Sequence, residues 1–149
     1  MASIQAFHKI RDVHENDKLA AQETYQQAVK KFEEIAEHLY RVLKKKEETE
    51  EQLHEKITGE TLTAHHFAQL QHYITRLDQQ IVQLQPEVNQ ARSYMENCRR
   101  KMTEAHVEVK KFDKLIDRKV KQWQDSQKEI EKKQMDELSL RQFLLERNR

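Results

Sequence analysis

The amino-acid sequence predicts an all-α protein in which two long helices pair as an antiparallel coiled-coil hairpin. Three observations predict this fold. The 149 residues include one glycine and one proline, and because turns draw heavily on these residues, there is room for about one turn. Strong helix formers dominate the composition. Apolar residues also recur at helical spacing, which argues against the disorder that 36% charged residues would otherwise indicate.

The strictest repeat lies in the second half of the chain. Steps of three and four residues from Phe67 to Ile116 reach fifteen positions, all of them apolar, in a chain that is 36% hydrophobic. A 3.5-residue repeat of this length is typical of the seam of a left-handed coiled coil. The positions are Phe67, Leu70, Ile74, Leu77, Ile81, Leu84, Val88, Ala91, Met95, Cys98, Met102, Ala105, Val109, Phe112 and Ile116.

A weaker repeat occupies residues 25–53, with Lys46 and Thr49 as polar interruptions, and a copy with one slip in phase extends it back to Phe7. Between the two repeats, Gly59 can take a positive φ without penalty. Thr61 or Thr63 can then cap the following helix. The expected elements are a first helix over about residues 5–57, a turn over about 58–62 and a second helix over about 63–145. Together they form a single domain, residues 1–149.

Folding the chain at Gly59 pairs the two repeats so that the two residue numbers in each pair add to 119 or 120. Leu39 then meets Ile81, and Val42 meets Leu77. The second helix is longer and overhangs its partner beyond about residue 117. Because an unpaired apolar stripe should not stay bare, we expect it to dock on a partner, with packing in a dimer or fraying as alternatives. The overhanging apolar residues are Val120, Trp123, Ile130, Leu138, Phe143 and Leu144.

Pro86 is the main objection to an unbroken second helix, since a proline inside a helix costs about 3 kcal/mol. It lies off the seam, and the repeat passes from Leu84 to Val88 without a change of phase. We therefore expect a continuous helix with a kink at Pro86. Tyr40 and Tyr73 flank the seam near the turn, where packing at the seam edge and a contact surface are equally good interpretations.

The sequence argues against an enzyme and against a cofactor or metal site. No two of the eight histidines are four residues apart, so the helical spacing of a metal clamp is missing. Cys98 lies on the seam as a small hydrophobe, and one glycine cannot build a phosphate-binding loop. A two-helix rod also has no concave pocket for a small-molecule substrate.

Charge and hydropathy narrow the class of protein further. The net charge of +1 lacks the basic excess expected of a nucleic-acid binder. No window approaches the ~18 apolar residues of a membrane span, and the N-terminus lacks the apolar core of a secretion signal. The single cysteine suits a reducing compartment. We therefore expect a soluble cytoplasmic protein.

Two stretches of the sequence resemble the family of the flagellar type III export protein FliJ. Residues 7–18, FHKIRDVHENDK, are similar to the opening helix of that family. Residues 132–143, KKQMDELSLRQF, are similar to its closing signature, in which Met-Asp-Glu at 135–137 and Arg141 are the most distinctive part. The likeness extends through the interior and covers nearly the whole chain.

The resemblance implies a non-enzymatic component of the flagellar protein export apparatus, needed for flagellum biogenesis and motility. That family resembles the central stalk of rotary ATP synthases. It binds the hexameric export ATPase, the export-gate membrane protein and export chaperones, which would hold this protein peripherally at the cytoplasmic face of the membrane. A monomeric hairpin is expected. The alternatives are a homodimeric structural coiled coil and a stalk protein of an injectisome-type secretion system.

Matching positions in the resemblance and the seam analysis together supply the candidate partner-binding residues. The resemblance points to the two terminal motifs, and the seam analysis adds Tyr73, Trp123 and Phe143. The full set is Phe7, Lys9, Glu15, Lys18, Tyr73, Trp123, Met135, Asp136, Glu137, Arg141 and Phe143.

Overall fold

The computed structural model describes residues 2–59 and 62–148, and these residues form two long α-helices. Helix α1 is Ala2–Thr58, with 57 residues, and helix α2 is Ala64–Arg147, with 84 residues. No strand occurs in these two ranges. The predicted all-α class with a longer second helix is therefore confirmed. Both helices extend two or three residues beyond the bounds expected at the two chain ends.

A backbone hydrogen bond ends α1 and a side-chain cap begins α2 on either side of the turn. The Gly59 N–H donates to the Glu55 carbonyl at 2.9 Å, and the Thr63 hydroxyl accepts a hydrogen bond from the His66 N–H at 3.2 Å. Thr63 is thus the N-cap of α2, one of the two threonines expected in that role. The other, Thr61, lies outside the described residues.

The chain groups into two compact units, each an antiparallel pairing of one part of α1 with one part of α2. The turn unit comprises Leu19–Thr103, and the terminal unit comprises Met1–Lys18 with Glu104–Arg149. The prediction of a single domain stays a prediction.

The core of the turn unit is the apolar seam. Val42 of α1 is buried in one cluster with Leu77, Ile81 and Leu84 of α2, and Leu39 packs against it. These are the residues that the predicted register brings together. Burying a leucine or valine side chain contributes about 1.5–3 kcal/mol, so a run of such layers stabilises two helices that would each be marginal alone.

The two polar interruptions are accommodated in different ways. Thr49 is buried, and its hydroxyl donates to the Lys45 carbonyl at 2.7 Å, so no polar group is left without a partner there. Lys46 is half-buried, and its ammonium reaches out of the seam to Asp78 at 2.7 Å and Glu50 at 3.8 Å. The stem of the lysine fills the seam position while the charge stays at the surface.

Phe67 was expected to be buried in the seam, and this expectation is corrected here, because the side chain is 39% exposed. It lies in the first turn of α2, opposite the last turns of α1, where Ile57 is also exposed. Leu53 is buried there, but too little of α1 remains to cover a phenyl ring as well.

Helix α2 runs through Pro86 without a break. Pro86 lacks the N–H that would bond the Val82 carbonyl, four residues earlier. Val82 is 68% exposed, and Gln85, Pro86 and Glu87 are exposed too. Water can therefore hydrate the freed carbonyl, because the proline lies on the outer face of the helix.

In the terminal unit, Val109 and Ile116 of α2 are buried, and Phe112 between them is half-buried. The His14 ring of α1 stacks on the Phe112 ring with centroids 4.9 Å apart and planes 18° apart. Burial in α2 ends at Val120, and every residue from 121 to 148 is exposed.

We predict that Val88→Ala lowers the free energy of unfolding by about 2 kcal/mol. Val88 is 6% exposed, each buried methyl group contributes about 0.8 kcal/mol, and the cavity adds to the loss. Val82→Ala on the same helix is the matched control and should change stability by about 0.5 kcal/mol or less. Urea unfolding followed by circular dichroism measures both, and an equal loss in the two variants would contradict the seam.

Candidate partner-binding surfaces

The longest run of exposed residues in the described part of the chain is 121–148 of α2, here called the exposed segment. All its side chains are exposed, including eight large apolar ones. Its six basic and six acidic residues balance. Contiguous exposed apolar side chains in a soluble protein mark interaction sites more often than chance. The eight apolar residues are Trp123, Ile130, Met135, Leu138, Leu140, Phe143, Leu144 and Leu145.

Six of the predicted partner-binding residues lie in the exposed segment, but they do not form one patch. At about 100° per residue, Trp123 and Arg141 project in the same direction, whereas Asp136 projects from nearly the opposite side. Phe143 projects within about 20° of Asp136, Met135 points in a third direction, and the set spans about 30 Å of helix. A partner that contacts all six must therefore surround the helix. The six are Trp123, Met135, Asp136, Glu137, Arg141 and Phe143.

The four predicted residues of the first helix divide into two groups. Phe7 is half-buried and Lys9 is exposed. Glu15 and Lys18 are half-buried and form an ion pair of 3.2 Å with each other. Glu15 Oε2 is buried, and it lies 3.6 Å from Arg11 Nη2, which is too far for a hydrogen bond. Glu15 and Lys18 are thus engaged within the chain.

Arg11 links this group to the second helix. Its Nε donates to Asp113 Oδ1 at 2.9 Å, and the hydrogen bond to Asp113 raises the pKa of Arg11 above its ordinary value. The stacked His14 and Phe112 rings lie close by, three residues from Arg11 on α1 and one residue from Asp113 on α2. These contacts fasten the start of α1 to α2 shortly before the exposed segment begins.

Arg11 and Asp113 were missed by the sequence analysis, although a signal was present. Their residue numbers add to 124, as do those of the other cross-helix ion pair, Lys46 and Asp78. In the turn unit the core pairs add to 119 or 120, so Lys46 and Asp78 lie about one helical turn out of step with the core. In the terminal unit the numbers of the stacked pair His14 and Phe112 add to 126. Arg11 and Asp113 could therefore have been found only by searching for opposite charges on the two helices, and not from the register of the turn unit.

Tyr73, the predicted contact residue near the turn, is half-buried against the core cluster of the turn unit. The Arg76 guanidinium lies 5.6 Å from the centre of its ring, a cation–π distance. Tyr40 on α1 is exposed. Of the two interpretations, packing at the seam edge suits Tyr73, and an accessible contact suits Tyr40.

Two classes of site are missing from the part of the chain that the structure describes. No three histidine, cysteine, aspartate or glutamate side chains there gather closely enough to hold a metal ion. Over the same residues, neither helix contains a stretch sufficiently long and apolar to cross a membrane.

Comparison with known proteins identifies the family. Residues 3–148 match the family described as the flagellar FliJ protein. The chain is also 32% identical over 140 residues to the flagellar FliJ protein of Bacillus subtilis (strain 168), covering 94% of this chain and 95% of that one. The chain belongs to the flagellar FliJ family. No solved structure matches it.

Family membership supports a component of the flagellar export apparatus, with partners in that apparatus. The match is to the flagellar family, so it favours the flagellum over the injectisome-type system that the sequence left open. The match to the family covers residues 3–148. It therefore includes both terminal motifs and the whole exposed segment.

Lys46 generates a prediction on pH. Its hydrogen bond to Asp78 raises the pKa of the Lys46 ammonium above the ordinary 10.5. The contact between Lys46 and Asp78 therefore stabilises the fold fully below pH 10.5. This stabilisation is lost as the pH rises through the higher pKa that Lys46 has in the folded protein. Wild-type protein should lose more thermal stability between about pH 9 and about pH 12 than Lys46→Met does, since the variant has no ammonium to titrate.

Lys45→Met is the control for this measurement, because Lys45 is an exposed neighbour on the same helix. It should lose as much melting temperature over that range as the wild type, as followed by circular dichroism. Equal losses in all three proteins would mean that the Lys46–Asp78 contact does not stabilise the fold.

Proposed function

We propose that this protein is a non-enzymatic stalk of the flagellar export machinery. In this proposal it binds the hexameric export ATPase and couples it to the export-gate membrane protein. It acts in the cytoplasm and reaches the membrane surface only through these partners. The exposed segment is the observation that carries the proposal, because a helix of this length with bare apolar residues on several sides suits insertion into a ring of subunits.

The distribution of side chains around the exposed segment supports a ring as the ATPase-side partner. A flat partner surface covers one face of a helix, whereas Trp123, Met135 and Phe143 project in three different directions around the axis. A ring offers each subunit a different face of the same helix. Aromatic residues such as Trp123 and Phe143 are also the types that dominate binding energy at protein interfaces.

The remaining predicted residues take different roles in the proposal. Phe7 and Lys9, at the start of α1, would extend the ATPase contact. Glu15 and Lys18 would act indirectly, by keeping the start of α1 attached to α2. Tyr73 in the turn unit would belong to a separate contact with the export gate, and Tyr40, which is more exposed and lies in the same unit, would add to it.

The test of the ATPase contact is hydrolysis by the export ATPase with and without this protein. The full chain should bind the ATPase and change its rate of hydrolysis or its assembly. A chain ending at Val120 should fold, since it loses only exposed residues, yet should have no effect on the ATPase. Full activity of the shortened chain would overturn the role of the exposed segment.

Single substitutions sharpen the same assay. Phe143→Ala should weaken ATPase binding by about fivefold or more, since losing an aromatic anchor typically costs over about 1 kcal/mol. Gln142→Ala, at the adjacent exposed position, is the matched control and should leave affinity unchanged. Equal affinities of the two variants and the wild type would exclude Phe143 from the contact.

An escort role for export chaperones is the second part of the proposal. We infer that chaperones bind the same exposed segment, since it offers the broadest apolar surface of the chain. A chaperone pull-down with the full chain and with the chain ending at Val120 tests this. Retention of the chaperone by the shortened chain would assign the contact to another surface.

A further inference from the structure

We propose that the exposed segment pairs with the same segment of a second copy, antiparallel, about a twofold axis at Gln134. The stripe that could form such a pair contains nine residues, all within about 40° of the direction of Gln134 at about 100° per residue. Eight of them are exposed, and Val120 is half-buried. In chain order they are Val120, Trp123, Gln127, Ile130, Gln134, Leu138, Arg141, Leu145 and Asn148.

The stripe is symmetric about its centre. Steps of four, seven, eleven and fourteen residues in either direction from Gln134 reach the other eight positions. When Gln134 lies opposite itself, Ile130 faces Leu138 of the second copy, and Trp123 faces Leu145 of the second copy. Each of these contacts occurs twice, which gives four apolar layers.

The polar positions obey the same symmetry. Gln127 lies opposite Arg141 of the second copy, and the two Gln134 side chains meet on the axis. Apolar thus meets apolar and polar meets polar, apart from the outermost layer of Val120 and Asn148. Polar residues inside a coiled-coil seam fix its register at a cost in stability. The pair is therefore weaker than the seam within the chain and forms in a concentration-dependent way.

Charge supports a second copy as the occupant. The exposed segment has six basic and six acidic residues, so two copies carry no net repulsion. In the antiparallel register, Lys133 lies beside Glu137 of the second copy, and this contact also occurs twice. A twofold interface requires a self-complementary surface, whereas a partner of unrelated sequence places no such demand on the stripe. The paired length is about 42 Å.

This pairing goes beyond the proposed stalk function, and it would regulate the binding of the ATPase. Trp123 and Arg141 belong both to the self-pair and to the proposed ATPase contact, so the two are mutually exclusive. The free protein would hold its apolar stripe covered until the ATPase displaces the second copy. Phe143 lies off the stripe, so Phe143→Ala should weaken ATPase binding and leave the self-pair unchanged.

The full-length chain tests the pairing directly by sedimentation over a range of concentrations. A monomer–dimer equilibrium is expected, and Trp123, the single tryptophan, should shift its emission to shorter wavelength as the dimer forms. Lys133→Glu and Glu137→Lys should each weaken the dimer about tenfold, and the double variant should restore it. A monomer at every accessible concentration would overturn the proposal. Single variants that dimerise as strongly as the wild type would overturn it too. That second result is expected if dimers form instead by the exchange of whole helices between chains.

A cysteine placed on the axis tests the register. Gln134→Cys should form a disulfide-linked dimer rapidly under mild oxidation, since the two thiols face each other. Ser139→Cys is the matched control, exposed on the same segment but on the opposite side of the helix, and it should link slowly. The native Cys98 is buried and stays unreactive. Equal linking rates for the two variants would mean that collisions, and not the twofold pair, bring the chains together.

Discussion

The structure depends on one constraint, which is that an amphipathic helix cannot cover its own apolar stripe. Helix α2 carries that stripe at 3.5-residue spacing for fifty residues, and α1 covers all of its positions except Phe67 at least in part. Every other feature adjusts to this pairing. The Thr49 hydroxyl donates to the Lys45 carbonyl, the Lys46 ammonium lies outside the seam beside Asp78, and Pro86 lies on the outer face. The partner runs out near Val120, and burial ends there.

The fold could be predicted from the sequence because its information is periodic and local. The apolar repeat sets the two helices, and the lone glycine locates the turn, so the register between Leu39 and Ile81 follows by counting. The exposure of Phe67 could not be predicted in this way, since periodicity assigns a residue to a face of the helix but does not say how much of the partner helix remains to cover it. The contact between Arg11 and Asp113 was not predicted, for another reason. Their contact lies at the seam edge, where a pattern of apolar residues carries no information.

The candidate surfaces were predictable in place but not in arrangement. The overhang follows from two unequal helix lengths, so the location of Trp123 and Phe143 could be anticipated. Glu15 and Lys18 illustrate the limit of a family motif, because a shared residue can serve the fold as readily as a partner. Their ion pair beside Arg11 shows a contact within the chain.

The contact between Arg11 and Asp113 has a consequence for synthesis. Its two residues are 102 positions apart in the chain. At about 5–20 residues per second, the start of α1 leaves the ribosome roughly 5–20 s before its partner exists. The layers near the turn can close first, because their loops are short, and the pairing then zips towards the termini. The start of α1 is thus made well before it is covered, and until then the nascent helix presents its apolar side to whatever binds emerging chains.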